Sequence, residues 1–307
     1  MWDFNLLAAT RSIEASKPFL LYRLMVYLGV GLAFLLSALA GAGTAIAFAS
    51  FSTNPSALAS LGAILGFAGC GFFLYKQRAG LFFNVKAGHL ALLAEQSRGG
   101  KIPESKAQVD YAKQAAAQRF ASPSDFLEVS QSIVQAMKAL PQKYWRALHG
   151  VKNETIAKIL DLIAGRIAAS CDQAILALHF LRDGDNPWKS AQTGLILQAR
   201  HFSWLLKNRL YSLLFEYIGL LAAFALILVP VSRAAALLPI GMGVWRFVIA
   251  FILAWSLKAA FFQPIATAAM ASLYFKLAEK EASESEGEIE ELSRYSDAFR
   301  KIREKAA

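Results

Sequence analysis

Charge is scarce in this chain. Asp, Glu, Lys and Arg make up 18% of its 307 residues, where an ordinary soluble domain carries about 25%. Cysteine is scarcer still. Cys70 falls in an apolar run and Cys171 on a helix expected in the cytoplasm, and there is no third. A disulfide-stapled scaffold is thereby excluded. Enzyme signatures are missing as well: no Gly-x-Ser-x-Gly, no phosphate loop and no Cys-x-x-Cys occur. The histidines, His89, His149, His179 and His201, stand apart, without His-x-x-x-His spacing or a neighbouring Cys/Asp cluster. Asp183, Asp185 and Asn186 fail as a cation loop, because Pro187 occupies a ligand position and no Glu closes it. The chain therefore reads as not an enzyme, with no cofactor and no metal. The first sixteen residues lack a short apolar core followed by a small-residue cleavage site, so no removable signal peptide is expected.

What is present is hydrophobic. Apolar residues reach 56%, and they are concentrated. Stretches 24–51, 57–75, 212–232 and 240–265 are almost free of charge, and each approaches or exceeds the ~20 residues that cross a bilayer core. The fold expected is an all-α integral membrane protein with two transmembrane hairpins, four spans in all. The short uncharged turn Ser52-Thr53-Asn54-Pro55 makes spans one and two antiparallel neighbours. Span three ends at Pro230, and Gln263-Pro264 marks a kink or the membrane boundary in a long span four.

Charge sets the orientation. Segment 76–211 carries 19 basic against 10 acidic residues, while the two opposite turns hold almost none. Lys76, Arg78, Lys207 and Arg209 lie close to span ends, where the positive-inside rule applies. The expected organisation is a cytoplasmic N-terminus (1–19), hairpin one (20–75), a basic cytoplasmic or interfacial helical segment (76–211), hairpin two (212–275) and a solvated, charged cytoplasmic tail (276–307). That places a multi-pass protein in a bacterial inner membrane with both termini inside.

The middle segment is helical by period. Ser122-Pro123-Ser124-Asp125 opens a helix whose apolar residues recur every three or four positions until Pro141 interrupts. Ile156, Ile159, Ile163, Ile167, Cys171 and Leu178 form a second stripe, on which His179 reads as a packed residue. The helix expected over 188–211 joins Lys189, Arg200, Lys207 and Arg209 with Trp188 and Trp204. That mixture suits an anionic headgroup surface, and lipid rather than nucleic acid is the partner it implies. Whether 156–182 and 188–211 lie on the surface or re-enter the membrane stays open.

Ionisable residues inside spans are costly, at least ~2.5 kcal/mol near the bilayer centre. Glu216 lies one turn inside span three, and Lys258 falls in the same half of span four. They are candidates for an intramembrane polar pair, with two readings: an ion pair or independent snorkelling on one side, a polar gate on the other. Arg246 beside Trp245 reads as an interface anchor. Gly62-xxx-Gly66, with Gly29, Gly31, Gly41 and Gly43, supplies small residues for close helix approach, within the hairpin or at a homo-oligomer seam.

Four stretches carry a resemblance: VKAGHLALLAEQ (85–96), QVDYAKQAAAQRF (108–120), DQAILALHFLRDGDNPWKSAQTGLILQARHFSWLLKN (172–208) and WSLKAAFFQPIATAAM (255–270). Together they resemble an uncharacterised family of bacterial polytopic membrane proteins. From Asp172 onward the chain also resembles the C-terminal part of choline-transporter-like proteins. It lacks their extra N-terminal spans and cysteine-rich loop, so no residue role carries over. The functional expectation is a membrane scaffold or accessory subunit of a larger assembly, with transport of a small solute or lipid as the alternative.

Overall fold

The computed structural model describes residues 3–48, 54–144, 153–182, 184, 186–236, 243–281 and 285–307. Ser52, Thr53, His149, Asp183, Asp185, Pro239 and Glu284, on which parts of the sequence reading fall, lie outside them. Among the described residues the regular structure is entirely helical. Four helices are long and apolar enough to cross a membrane: α2 (Lys17–Ala47), α3 (Pro55–Lys76), α10 (Phe202–Ala236) and a fourth stretch, Trp245–Lys280. The chain thus has the makings of a multi-pass membrane protein.

Local chemistry sets the helix starts. Asn54 Oδ1 accepts from the Ala57 amide at 3.2 Å, and Pro55 occupies the first turn of α3. Asn5 caps α1 (Leu6–Ala15) by accepting from Ala8 N at 2.9 Å. Ser122 and Pro123 open α6 (Pro123–Tyr144) as their types dictate. Two prolines do not stop their helices as the sequence reading expects. α6 continues through Pro141 to Tyr144, and α10 continues through Pro230 to Ala236. In each, the proline's missing N–H costs one helical bond without ending the helix.

The fourth long stretch is not uniform. α11 (Trp245–Leu257) passes through one π-helical turn, Lys258–Phe262, into α12 (Gln263–Lys280). Pro264 is the cause to hand, since it has no N–H to return to the preceding turn.

The chain divides into two compact units. Unit 2 comprises Leu20–Phe82 and Tyr217–Phe262. Its first hairpin is held by glycine: a Cβ on Gly66 would meet the Ser37 carbonyl oxygen at 2.0 Å, and one on Gly41 the Gly62 oxygen at 2.1 Å. The α2 and α3 backbones therefore touch, as small residues allow in lipid. In the second hairpin Leu220 and Ala223 of α10 pack on Ala254 of α11.

Unit 1 comprises Met1–Phe19, Phe83–Glu216 and Gln263–Ala307. It contains α4 (Arg78–Ser97) from Phe83 on, α5 (Lys106–Arg119), α6, α7 (Glu154–Ala169), α8 (Asp172–Leu181) and α9 (Pro187–Arg200). At its centre lies α9, buried at every position from Ser190 to Ala199. α9 packs on α6, α8 and α12, and on the tail helices α13 (Glu286–Tyr295) and α14 (Asp297–Ala306). The charged tail is consequently not solvated along its length. Leu292, Phe299 and Ile302 are buried in unit 1 while the charges between them face out. An amphipathic period hidden under a high charge density explains the difference.

Candidate functional site

Unit 2 contains a cavity of about 740 Å³. Gly31 of α2 sits so close to α11 that a Cβ there would lie 2.8 Å from Ile252 Cγ2. Beside it Ser256 Oγ lies 3.1 Å from the Tyr27 carbonyl oxygen and 2.9 Å from that of Ile252, with one proton to donate between them. Around this contact the walls are aromatic: Tyr27, Phe34, Phe67, Phe82, Phe251 and Trp255 line the space. The side chains stack among themselves, Phe34 on Phe67 at 4.6 Å and Tyr27 on Phe82 at 5.6 Å between centroids.

Two buried cations stand against rings that line the cavity. Lys258 Nζ lies 5.3 Å from the Trp255 ring centroid and 5.1 Å from that of Tyr217. The Arg23 guanidinium lies 5.7 Å from the Tyr27 ring and donates through Nη2 to the Ala259 carbonyl at 2.9 Å. Arg23 is 1% exposed and Lys258 7%. Aromatic faces stabilise cations that have lost water. Arg23 lies just before the charge-free run and was missed as a site residue. The available signal was Pro264, which deprives a helical carbonyl of its amide and so calls for a donor from elsewhere.

Unit 1 holds a separate polar cluster. Arg209 donates from Nε to Ser170 Oγ at 2.6 Å, and from Nη1 to Ser212 Oγ at 2.9 Å and Glu216 Oε1 at 3.0 Å. The side chains of Arg209 and Glu216 are 8% and 2% exposed. Burial pushes the neighbouring Cys171 thiol up to about 11, which makes it a packing residue rather than a nucleophile. His179 is enclosed, its Nε2 3.1 Å from the Arg119 carbonyl oxygen and its ring edge-on to Phe120. Among the described residues no three His, Cys, Asp or Glu side chains gather as metal ligands.

The residues expected at a headgroup surface are dispersed. The helix expected over 188–211 is broken at His201, between α9 and α10. Arg209 faces inward, as above. Arg200 donates from Nε to Glu288 Oε1 at 2.7 Å and from Nη1 to Glu281 at 3.3 Å, so it holds the tail. Lys207 pairs with Asp3 at 2.7 Å, and Asn208 hydrogen-bonds both the amide and the carboxylate of the same residue. Trp188 is covered by the Lys305 ammonium at 4.3 Å, Trp204 meets His201 edge-on, and Lys189 lies half-buried near the tail. Of the polar residues within spans, Glu216 belongs to unit 1 and Lys258 to unit 2. Comparison with protein-family models, with curated proteins and with solved structures finds no match.

Proposed function

We propose that this chain is a multi-pass protein of a bacterial inner membrane, and that it serves as a scaffold or accessory subunit of a larger membrane assembly. Four apolar helices supply the anchor. Three separate stretches of chain converge in unit 1 and form a substantial helical body. With the basic span ends inside, unit 1 and both termini are cytoplasmic. The resemblance to bacterial polytopic membrane proteins belongs to the same reading.

One observation carries the scaffold role. On α7 the residues Ile156, Ile159, Leu162 and Ile163 are each about half exposed, although the opposite face, Ala157, Asp161, Ala164 and Ala168, is buried in unit 1. An uncovered apolar stripe on an ordered helix is the mark of a surface that meets something else. A partner subunit's helix is the occupant that a scaffold implies. A photoreactive amino acid at Ile159 or Ile163, activated in native membranes, is expected to give a discrete protein adduct. Adducts with lipid alone would instead make α7 an interfacial helix and remove the scaffold role.

Transport of a lipid or small solute is a second reading, favoured by the aromatic cavity of unit 2. A sealed route across the bilayer would then have to pass through that unit.

A further inference from the structure

The tail helices are shallowly seated on unit 1. α13 and α14 are ten residues each, yet only Leu292 and Ser293 of the first and Phe299 and Ile302 of the second are buried. α9 beneath them is buried at every position from Ser190 to Ala199. Both tail helices rest on α9, and α14 also on α6. The body's side of that contact is smooth: Ala136, Ala139 and Leu140 of α6 and Leu195 of α9 meet Leu292 and Phe299 around a void of about 10 Å³. Two alanines there give the tail little to interlock with. Elements with few buried apolar contacts are the ones that open before a domain unfolds.

Polar latches at the two ends of the tail make up for this. At the first, Arg200, the last residue of α9, reaches both sides of residues 282–284. Its Nε donates to Glu288 Oε1 at 2.7 Å and its Nη1 to Glu281 Oε2 at 3.3 Å, and His201 Nε2 lies 2.7 Å from Glu281 Oε1. At the second, Lys305 Nζ donates to Glu128 of α6 and stands 4.3 Å from the Trp188 ring centroid. Asn186 Nδ2 adds a hydrogen bond to the Lys305 carbonyl at 3.4 Å. The ionic side chains of both latches are 24–55% exposed, so dissolved ions compete with them. Other pairs lie within the tail, Arg294 with Glu290 and Arg300 with Asp297, and survive undocking.

We infer that α13 and α14 form a strap, latched at Arg200 and Lys305, that opens and closes over the α6–α9 groove as one unit while the rest of unit 1 stays folded. The strap is itself the occupant of that groove in the closed state. Opening bares Ala136, Leu140 and Leu195, so ionic strength sets how much of this apolar face unit 1 shows. The inference concerns contacts within unit 1 alone and is independent of the scaffold role and of the membrane placement.

The test uses the full chain in mild detergent, with Cys70 and Cys171 replaced by Ala. A single cysteine is placed at Ala136→Cys under the strap or, as a control, at Ala112→Cys, buried on α5. The rate of maleimide labelling without denaturant reads opening. Raising sodium chloride should speed labelling at position 136 about tenfold while position 112 stays protected. Arg200→Met and Lys305→Met should each speed it severalfold at low salt. Exchanging the charges of one latch, by Glu128→Lys with Lys305→Glu, should restore part of the protection lost in Lys305→Glu alone. Should Ala136→Cys misfold, hydrogen exchange in the wild type compares 286–306 with 190–199. The tail should then exchange at least tenfold faster, after correction for intrinsic rates, and salt should widen the gap. Labelling at position 136 that ignores salt and both latch substitutions, exposure of positions 136 and 112 together, or equal exchange of the two segments would overturn the inference.

Discussion

Arg23, near the start of α2, donates from Nη2 to the carbonyl oxygen of Ala259 at 2.9 Å, deep inside unit 2. The reason lies in the helix that Ala259 occupies. In the register of the π turn its carbonyl points five residues on, to Pro264, which has no N–H. A guanidinium from α2 supplies the missing donor. A proline in one span thus explains a buried arginine in another.

Removing that donor should be costly and repairable. Arg23→Met strands a buried carbonyl, at a cost of about 1–3 kcal/mol. Pro264→Ala restores an N–H to the same helix and should recover part of the loss. Thermal unfolding of the four members of this double-mutant cycle measures the coupling. Additive effects would show that the arginine does not answer the proline.

The Arg209–Glu216 pair should behave as a buried charge pair does. Glu216→Gln or Arg209→Met alone leaves one charge enclosed, with a loss of about 3–5 kcal/mol. Replacing both, by Arg209→Met with Glu216→Leu, should cost much less than the sum. Denaturant unfolding in detergent reads the difference.

Glycines of the first hairpin should divide by contact. Gly66→Leu forces side-chain atoms into the Ser37 carbonyl and should destabilise unit 2 by about 3 kcal/mol. Gly69→Ala meets nothing within 4 Å and should cost nothing. Melting temperatures of the two variants make the comparison.

Tail docking should depend on acid. Hydrogen bonding from Arg200 is the main cause that holds the Glu288 carboxyl below its ordinary value of 4.5. Its folded value is depressed, so its contribution is present above that ordinary value and is lost as pH falls through the lowered one. Hydrogen exchange in 286–306 should therefore rise as pH drops below about 4.5, after correction for intrinsic rates. Arg200→Met should flatten that dependence.

The four spans were legible because membrane thickness imposes a length and an absence of charge that a linear sequence displays. Gly62 and Gly66 were legible as packing residues for a similar reason, since small residues at that spacing share a helix face. The partners of Glu216 were not. Arg209 lies seven positions earlier on the same helix, and only its burial beside Ser170 and Ser212 shows that it turns inward rather than toward headgroups. Basic residues identify a surface only when their side chains reach it, and Arg200 and Lys207 are instead engaged by Glu288 and Asp3. Tail burial was hidden because Leu292, Phe299 and Ile302 are few among many charges. The cavity of unit 2 was not legible at all, since a cavity is a property of packing between distant helices.

In the proposed topology, four spans put the start of α3 on one side of a membrane and Lys101 on the other. Sided labelling of single cysteines reads this placement, at Ser56→Cys in the first turn of α3 and at Lys101→Cys in unit 1, with Cys70 and Cys171 replaced by Ala. In intact spheroplasts a membrane-impermeant maleimide should label the first position and reach the second only after permeabilisation. Labelling of both positions from the same side would rule that topology out.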